Sequence, residues 1–259
     1  MSKRLVVNAD DFGFTHDVNA GIVHAHREGV LTATTLMANG AAFDDAVRLA
    51  RETATLDIGC HLVLVQGNSL LTGRPLPETV RQLLIALSRK QLDIYAELRA
   101  QIERIVATRL RPTHLDSHKH THIWPAVFRV VVRLAHEFGM RYVRLPFDAI
   151  SLWSGAPFRL ARGYYARLTS DYNVRMTDHF LGFRLTGSLT EEAFASAIRA
   201  LPDGMTEFMC HPGFAGPELL SARTRLKECR LRELEALTSP RIRKLIAESD
   251  VRLENFLAE

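Results

Sequence analysis

Short apolar runs alternate with amphipathic stretches along almost the whole chain. Leu5-Val6-Val7 is apolar without interruption and gives way to Asn8-Ala9-Asp10-Asp11-Phe12-Gly13. That is the pattern of a buried strand ending in two carboxylates and a glycine turn. The spacing then predicts a helix over 17–28 stopped by Gly29, a Thr-rich strand over 32–38, a helix over 42–52 and a strand over 57–64. Residues 66–77 hold two Gly and two Pro and read as a loop. Two amphipathic helices follow, over 78–88 and 94–108.

Pro112 restarts the chain into a short strand over 113–117. Pro125 stands where a first-turn proline would, and 126–138 is apolar at helical spacing up to Gly139. Residues 142–146 read as a strand, 191–201 as a helix, and 207–213 as a strand running into a turn. Helices are predicted over 223–237 and 240–248, and a last strand over 252–256. Only 147–185 lacks a regular pattern, with 174–180 as its one strand candidate. Strands that alternate with helices imply a mostly parallel sheet. Roughly seven or eight such units in 259 residues fit a single α/β domain, a (β/α) barrel-like fold with room for distortion, better than two domains. The expected domain runs over 1–259, with an irregular aromatic and basic insertion near 147–185.

Composition narrows the class. Apolar content of 47% and charged content of 24% are those of an ordinary soluble domain. No run of about eighteen apolar residues suggests a transmembrane helix. Met1-Ser2-Lys3-Arg4 leads into too short an apolar segment for a secretory signal, and three cysteines without close pairing fit a reducing compartment. The expected location is the cytoplasm, with the inner face of the membrane as one option. The net charge of +4 lies in one place: 141–184 carries seven Arg against three Asp and no Lys or Glu. Within it Trp153, Phe158, Tyr164 and Tyr165 stand among Arg159, Arg162 and Arg167, which reads either as an insertion with its own small core or as a lip for peripheral membrane contact. No nucleic-acid motif is present. A homo-oligomer is left open.

The candidate chemistry centres on Thr113–His122, which holds four of the eleven histidines and an Asp. Such density suits a divalent metal, because neutral imidazole is a common ligand. A solvated polar loop is the plain alternative. Candidate ligands recur at other strand ends: Asp10-Asp11, His61 and His211. In a barrel, residues from different strand ends meet at one face. One carboxylate and two imidazoles can hold an ion with positions left for water and substrate, a second carboxylate can act as base, and a histidine can protonate a leaving group. Taken singly, each group has a structural reading too. The Asp pair could cap a helix, His61 could be a core histidine, and His211 a turn residue. His118 and His122 have the i, i+4 spacing of a helical metal pair. His120 could touch substrate or support a ligand. Asp116 could orient an imidazole or cap a strand end. Cys60-His61 and Cys210-His211 do not make a zinc site, since neighbouring strand residues face opposite ways.

Asn8-Ala9-Asp10-Asp11-Phe12-Gly13, Gly-x-His-Leu at 59–62, His-x-Asp-x-His-x-His-x-His at 114–122 and His211-Pro212-Gly213 together resemble the ChbG/YdjC-like carbohydrate deacetylases. Leu62-Val63-Leu64-Val65-x-Gly67 resembles the hopanoid-associated branch of that family, HpnK. The resemblance implies a barrel-like enzyme that removes acetyl from an N-acetylated amino sugar. It implies one divalent metal ion, Mg2+ or Zn2+, on Asp11, His61 and His118, with Asp10 as base and His211 as acid. Arg144, ahead of Leu145-Pro146, resembles the arginine that orients the base in the wider polysaccharide deacetylases. Asp116, His120 and His122 remain substrate-binding or supporting residues. For the hopanoid branch the implied substrate is N-acetylglucosaminyl hopanoid. A soluble chitooligosaccharide and a non-catalytic metal- or sugar-binding barrel are the alternatives.

Overall fold

The longest strand, β1 (Lys3–Phe12), is the middle of the sheet, and every part of the site is placed relative to it. The computed structural model describes residues 2–145 and 156–257, apart from the side chains of 156–161. After β1 come α1 (His16–Glu28), β2 (Ala33–Leu36), α2 (Phe43–Glu52) and β3 (Asp57–Leu62). Two helices, α3 (Val80–Ser88) and α4 (Ile94–Ala107), precede β4 (His114–Ser117). A 3-10 turn over His118–Ile123 leads to α5 (Pro125–Glu137), β5 (Tyr142–Val143) and α6 (Ala156–Asp171). The chain ends with β6 (His179–Leu181), α7 (Glu191–Arg199), β7 (Gly204–Cys210), α8 (Pro217–Ser221), α9 (Glu228–Thr238), α10 (Pro240–Ala247) and β8 (Val251–Leu253).

All strand pairings are parallel, in the order β5-β4-β3-β2-β1-β7-β6. β2 pairs with β1 from Asn8 onward, and β8 pairs with its first residues, Lys3 to Leu5. Among the described residues β5 and β6 do not pair with each other. One bridge, Tyr142 to Arg175, is the link near that seam. The result is the expected single α/β domain, with a barrel that curls without closing. Leu5, Val6 and Val7 are fully buried, because helices cover one face of the sheet and the barrel interior covers the other. Parallel strands put all their C-terminal ends at one rim, which gathers Asp10, Asp11, His61, Asp116 and His211.

Two segments differ from the sequence reading. The helix expected over 223–237 starts only at Glu228, as α9, because Thr224 Oγ1 accepts from Leu226 N and turns the chain ahead of it; the short α8 lies before the expected span. The stretch expected to be irregular holds α6 and β6. Tyr165 on α6 is 4% exposed and packs against Phe128, so it belongs to the core rather than a lip. Trp153, and the side chains of Phe158 and Arg159, lie outside the described residues.

α1 passes the His211 turn so closely that only glycine fits. A Cβ on Gly21 would stand 2.4 Å from Gly213 Cα. Gly21→Ala should therefore cost about 1–3 kcal/mol of stability by forcing backbones apart. A thermal melt that matches the wild type would show that the contact yields freely.

Candidate active site

Strand alternation should send Asp10 and Asp11 to opposite faces. Both nevertheless enter the site, because the β1–β2 register shifts between Ala9 and Phe12 and Asp11 adopts a left-handed φ of 72°. That conformation costs of order 1–3 kcal/mol for a non-glycine residue, and it persists only where the surroundings enforce it. Here they do. Asp11 Oδ2 accepts from Arg230 Nη2 at 2.5 Å, and Asn19 Oδ1 accepts from Gly13 N at 2.6 Å.

Asp11 Oδ1 lies 3.3 Å from His61 Nε2 and 3.2 Å from His118 Nδ1, and the two nitrogens are 3.4 Å apart. Oδ1 is buried and makes no well-formed hydrogen bond to either ring. Three donor atoms in a near-equilateral triangle, with the carboxylate oxygen left without a hydrogen-bond partner, fit one cation. Ligand atoms about 2.0–2.2 Å from a tetrahedral ion stand roughly 3.3–3.5 Å from one another. The charge fits as well. Four buried carboxylates, Asp10, Asp11, Asp116 and Glu207, face two buried guanidiniums, Arg144 and Arg230, an excess of two negative charges.

His61 is oriented from behind. Its Nδ1 is 2.7 Å from Asp116 Oδ1, and Thr35 Oγ1 donates to Asp116 Oδ2 at 3.0 Å. An Nδ1–H on that carboxylate leaves the Nε2 lone pair for an ion. Burial opposes charge on His61, but Asp116 and Asp11 outweigh it and push the imidazole up to about 10. The negative surroundings that favour a proton on His61 could equally hold a cation.

Asp10 is gripped by Arg144, whose Nη1 and Nη2 donate at 2.9 and 2.8 Å. Arg144 also meets Glu207 through Nε at 2.8 Å and Asp116 through Nη1 at 2.7 Å. Burial works against the Asp10 carboxylate, yet Arg144 holds it well below the usual range. His211 Nε2 is 3.8 Å from Asp10 Oδ2, and its Nδ1 is buried without a partner. Glu233 fixes this histidine by accepting from its backbone N at 2.6 Å.

The remaining histidines of the run separate. His122 donates no ligand atom toward the triangle: Nδ1 pairs with Ser117 Oγ at 2.5 Å and Nε2 with the Arg144 carbonyl at 2.8 Å. Burial lowers it to about 3, so it stays neutral and braces Arg144, the residue that follows β5. The i, i+4 metal spacing fails because Lys119 and His120 have left-handed φ angles of 53° and 50°, so no α-helix forms there. His120 instead packs near Phe180 and Phe183 at the cavity wall. The cavity, of ≈ 970 Å³, is lined by Asp10, Asp11, His61, His118 and His211 on its floor, with Lys119, Arg184, Arg223, Arg225 and Lys227 among its walls. A groove of ≈ 620 Å³ shares His118, Gln66 and Arg223 with it and adds Phe14, Met37, Val63 and Val65.

A family model for YdjC-like proteins matches residues 4–248. The chain belongs to the YdjC-like family. This YdjC-like protein is 36% identical to a carbohydrate deacetylase of Brevibacillus brevis over 261 residues, covering 98% of each chain. It is 35% identical to a chitooligosaccharide deacetylase of Salmonella paratyphi B over 272 residues, covering 99% of each. Among solved structures, a putative cellobiose-phosphate cleavage protein from Enterococcus faecalis superposes with a TM-score of 0.83 at 28% identity, over 100% of this chain and 99% of that one. The lactam utilization protein of Thermus thermophilus, at 12% identity and a TM-score of 0.52, shares the fold.

Sequence reasoning missed four polar residues that build this YdjC-like site: Thr35, Glu207, Arg230 and Glu233. Two had a legible signal. Glu207 is two and four residues before Met209 and His211, so alternation puts it on the face of His211. Arg230 precedes Leu234 and Leu237 by four and seven residues, which places a charge on the apolar stripe of α9.

Proposed function

We propose that the protein is a metal-dependent hydrolase that removes the acetyl group from an N-acetylated amino sugar. That it is a carbohydrate deacetylase follows from its family and from relatives that match it end to end. The observation that carries the metal reading is the triangle of Asp11 Oδ1, His61 Nε2 and His118 Nδ1. These three residues would hold one divalent ion, Zn2+ by ligand softness or Mg2+ by family resemblance. Such an ion supplies Lewis acidity, polarising the acetyl carbonyl and acidifying water.

The chain's own groups do the rest. Asp10 accepts a proton from the attacking water, and Arg144 keeps that carboxylate ionised and aimed. His211, 3.8 Å from Asp10, donates a proton to the departing amine. Asp116 holds the His61 ring in the tautomer a cation needs, while His120 lines the wall that a sugar ring would touch. Acetate and a free amino sugar result. One deacetylase domain spans 1–259 in this reading.

The substrate reading is N-acetylglucosaminyl hopanoid. It is supported by the Leu62–Gly67 segment and by the apolar Phe14, Met37, Val63 and Val65 that border His118, which suit an apolar aglycone. Contact with the inner face of the membrane, through the basic 147–185 stretch, would bring such a lipid within reach. A soluble chitooligosaccharide is the second reading, favoured by the Salmonella relative's name. A paired acetate-release assay separates them: turnover should be faster on the glycosylated hopanoid, and the reverse order assigns the soluble sugar. In the same assay a chelator should reduce acetate release to background, and Zn2+ or Mg2+ should restore it. Undiminished release from protein shown by elemental analysis to be metal-free would end the metal reading.

A further inference from the structure

Arg230 heads the described side chains that are both fully buried and large. Burying a guanidinium costs several kcal/mol unless its charge is met. The charge is met by Asp11, which lies 219 residues earlier in the chain. Arg230 Nη2 donates to Asp11 Oδ2 at 2.5 Å, and Nε donates to the Leu226 carbonyl at 3.2 Å. Nη1 is buried with no hydrogen-bond partner. The two oxygens of Asp11 are thus divided: Oδ2 is taken by Arg230, and Oδ1 faces His61 and His118. Nothing in the proposed chemistry requires an arginine here.

We propose that Arg230 is a positioning residue for the reaction: it reserves Asp11 Oδ2, so that Asp11 offers a cation one oxygen only, and its charge keeps that oxygen a weak donor. The inference rests on the reading of Asp11, His61 and His118 as ligands. A carboxylate free to close on an ion with both oxygens would fill a position that water or the acetyl oxygen needs. A cation beside the carboxylate also competes for its negative charge, and leaves a bound ion more electron-poor. Both effects raise reactivity at the expense of affinity. A purely structural arginine, tying α9 to β1, would do the opposite on removal: the site would loosen, and affinity and activity would fall together.

The test uses R230M and R230K of the full chain with Co2+ as the probe ion. Co2+ affinity is measured by competition with a chelator, the visible spectrum reports coordination number, and turnover is read at saturating Co2+. R230M should bind Co2+ at least as tightly as wild type. Its visible absorption should weaken as the coordination number rises, and its turnover should fall by about 10–100-fold, the usual range for a partner of a metal ligand. R230K keeps the charge without the planar fork and should fall between. Turnover that excess Co2+ restores to the wild-type value, after a parallel loss of affinity, overturns the proposal. If R230M does not fold by circular dichroism, R230K decides. Wild-type turnover and spectrum in R230K overturn the proposal, and lowered turnover with retained affinity supports it. Wild-type protein that takes up no Co2+ would sink the ligand reading itself, which is a separate failure.

Discussion

Asp10→Asn should lower kcat/KM by roughly 10²–10⁴, the usual worth of a general base. An amide cannot take a proton from water. The substitution is nearly isosteric, and Asp10 donates none of the three atoms of the Asp11–His61–His118 triangle, so ion uptake should persist. The fork from Arg144 makes the prediction specific. It holds Asp10 ionised, with its pKa well below the ordinary carboxylate range. A carboxylate held so low is a weak base on its own and works only on water that is already acidified. The base and the ligand triangle are therefore expected to fail together in activity but not in binding. The check is acetate release and chelator competition on the same preparation. Unchanged kcat/KM would remove Asp10 from the role of base.

Arg144→Met should destabilise the fold by about 3–5 kcal/mol, because removing one partner of a buried ion pair leaves the others uncompensated. Three carboxylates, Asp10, Asp116 and Glu207, meet on this one guanidinium. Burial already pushes Glu207 upward in pKa despite Arg144, and without that cation the three would repel or take up protons. Against a typical total of about 5–15 kcal/mol, such a loss is large. A urea titration reads it directly as a lower midpoint. Adding Glu207→Gln to the variant should recover part of the loss, since it removes one of the stranded charges. A midpoint equal to the wild type would mean that the cluster relaxes or hydrates at little cost.

The alternation of apolar runs made the parallel sheet and most helices readable, because periods of 2 and 3.6 are local properties of a chain. The convergence of Asp10, Asp11, His61, His118 and His211 was readable for a different reason: parallel strands end at a common rim, whatever their separation in sequence. What escaped was anything that depends on a break in local periodicity. The bulge at Asp11 and the left-handed pair Lys119-His120 decide which side chains reach the centre, and neither leaves a mark in residue type. His122 looked like a ligand under helical spacing and became a brace for Arg144. Thr35 could not be found at all. It is one threonine among several in its segment, and only its partners Asp116 and His61 give it a task.

Helix α9 comes late, with Arg230 some 219 residues after Asp11, yet its Arg230 and Glu233 hold the first strand's Asp11 and the His211 backbone. During synthesis from the amino end, Asp11 waits for 219 further residues before its guanidinium exists. A frameshift or premature stop between residues 213 and 230 would spare every histidine of the centre and still deliver a protein with Asp11 untethered. Truncated products of this kind should accumulate as inactive species, whatever their content of recognisable motifs.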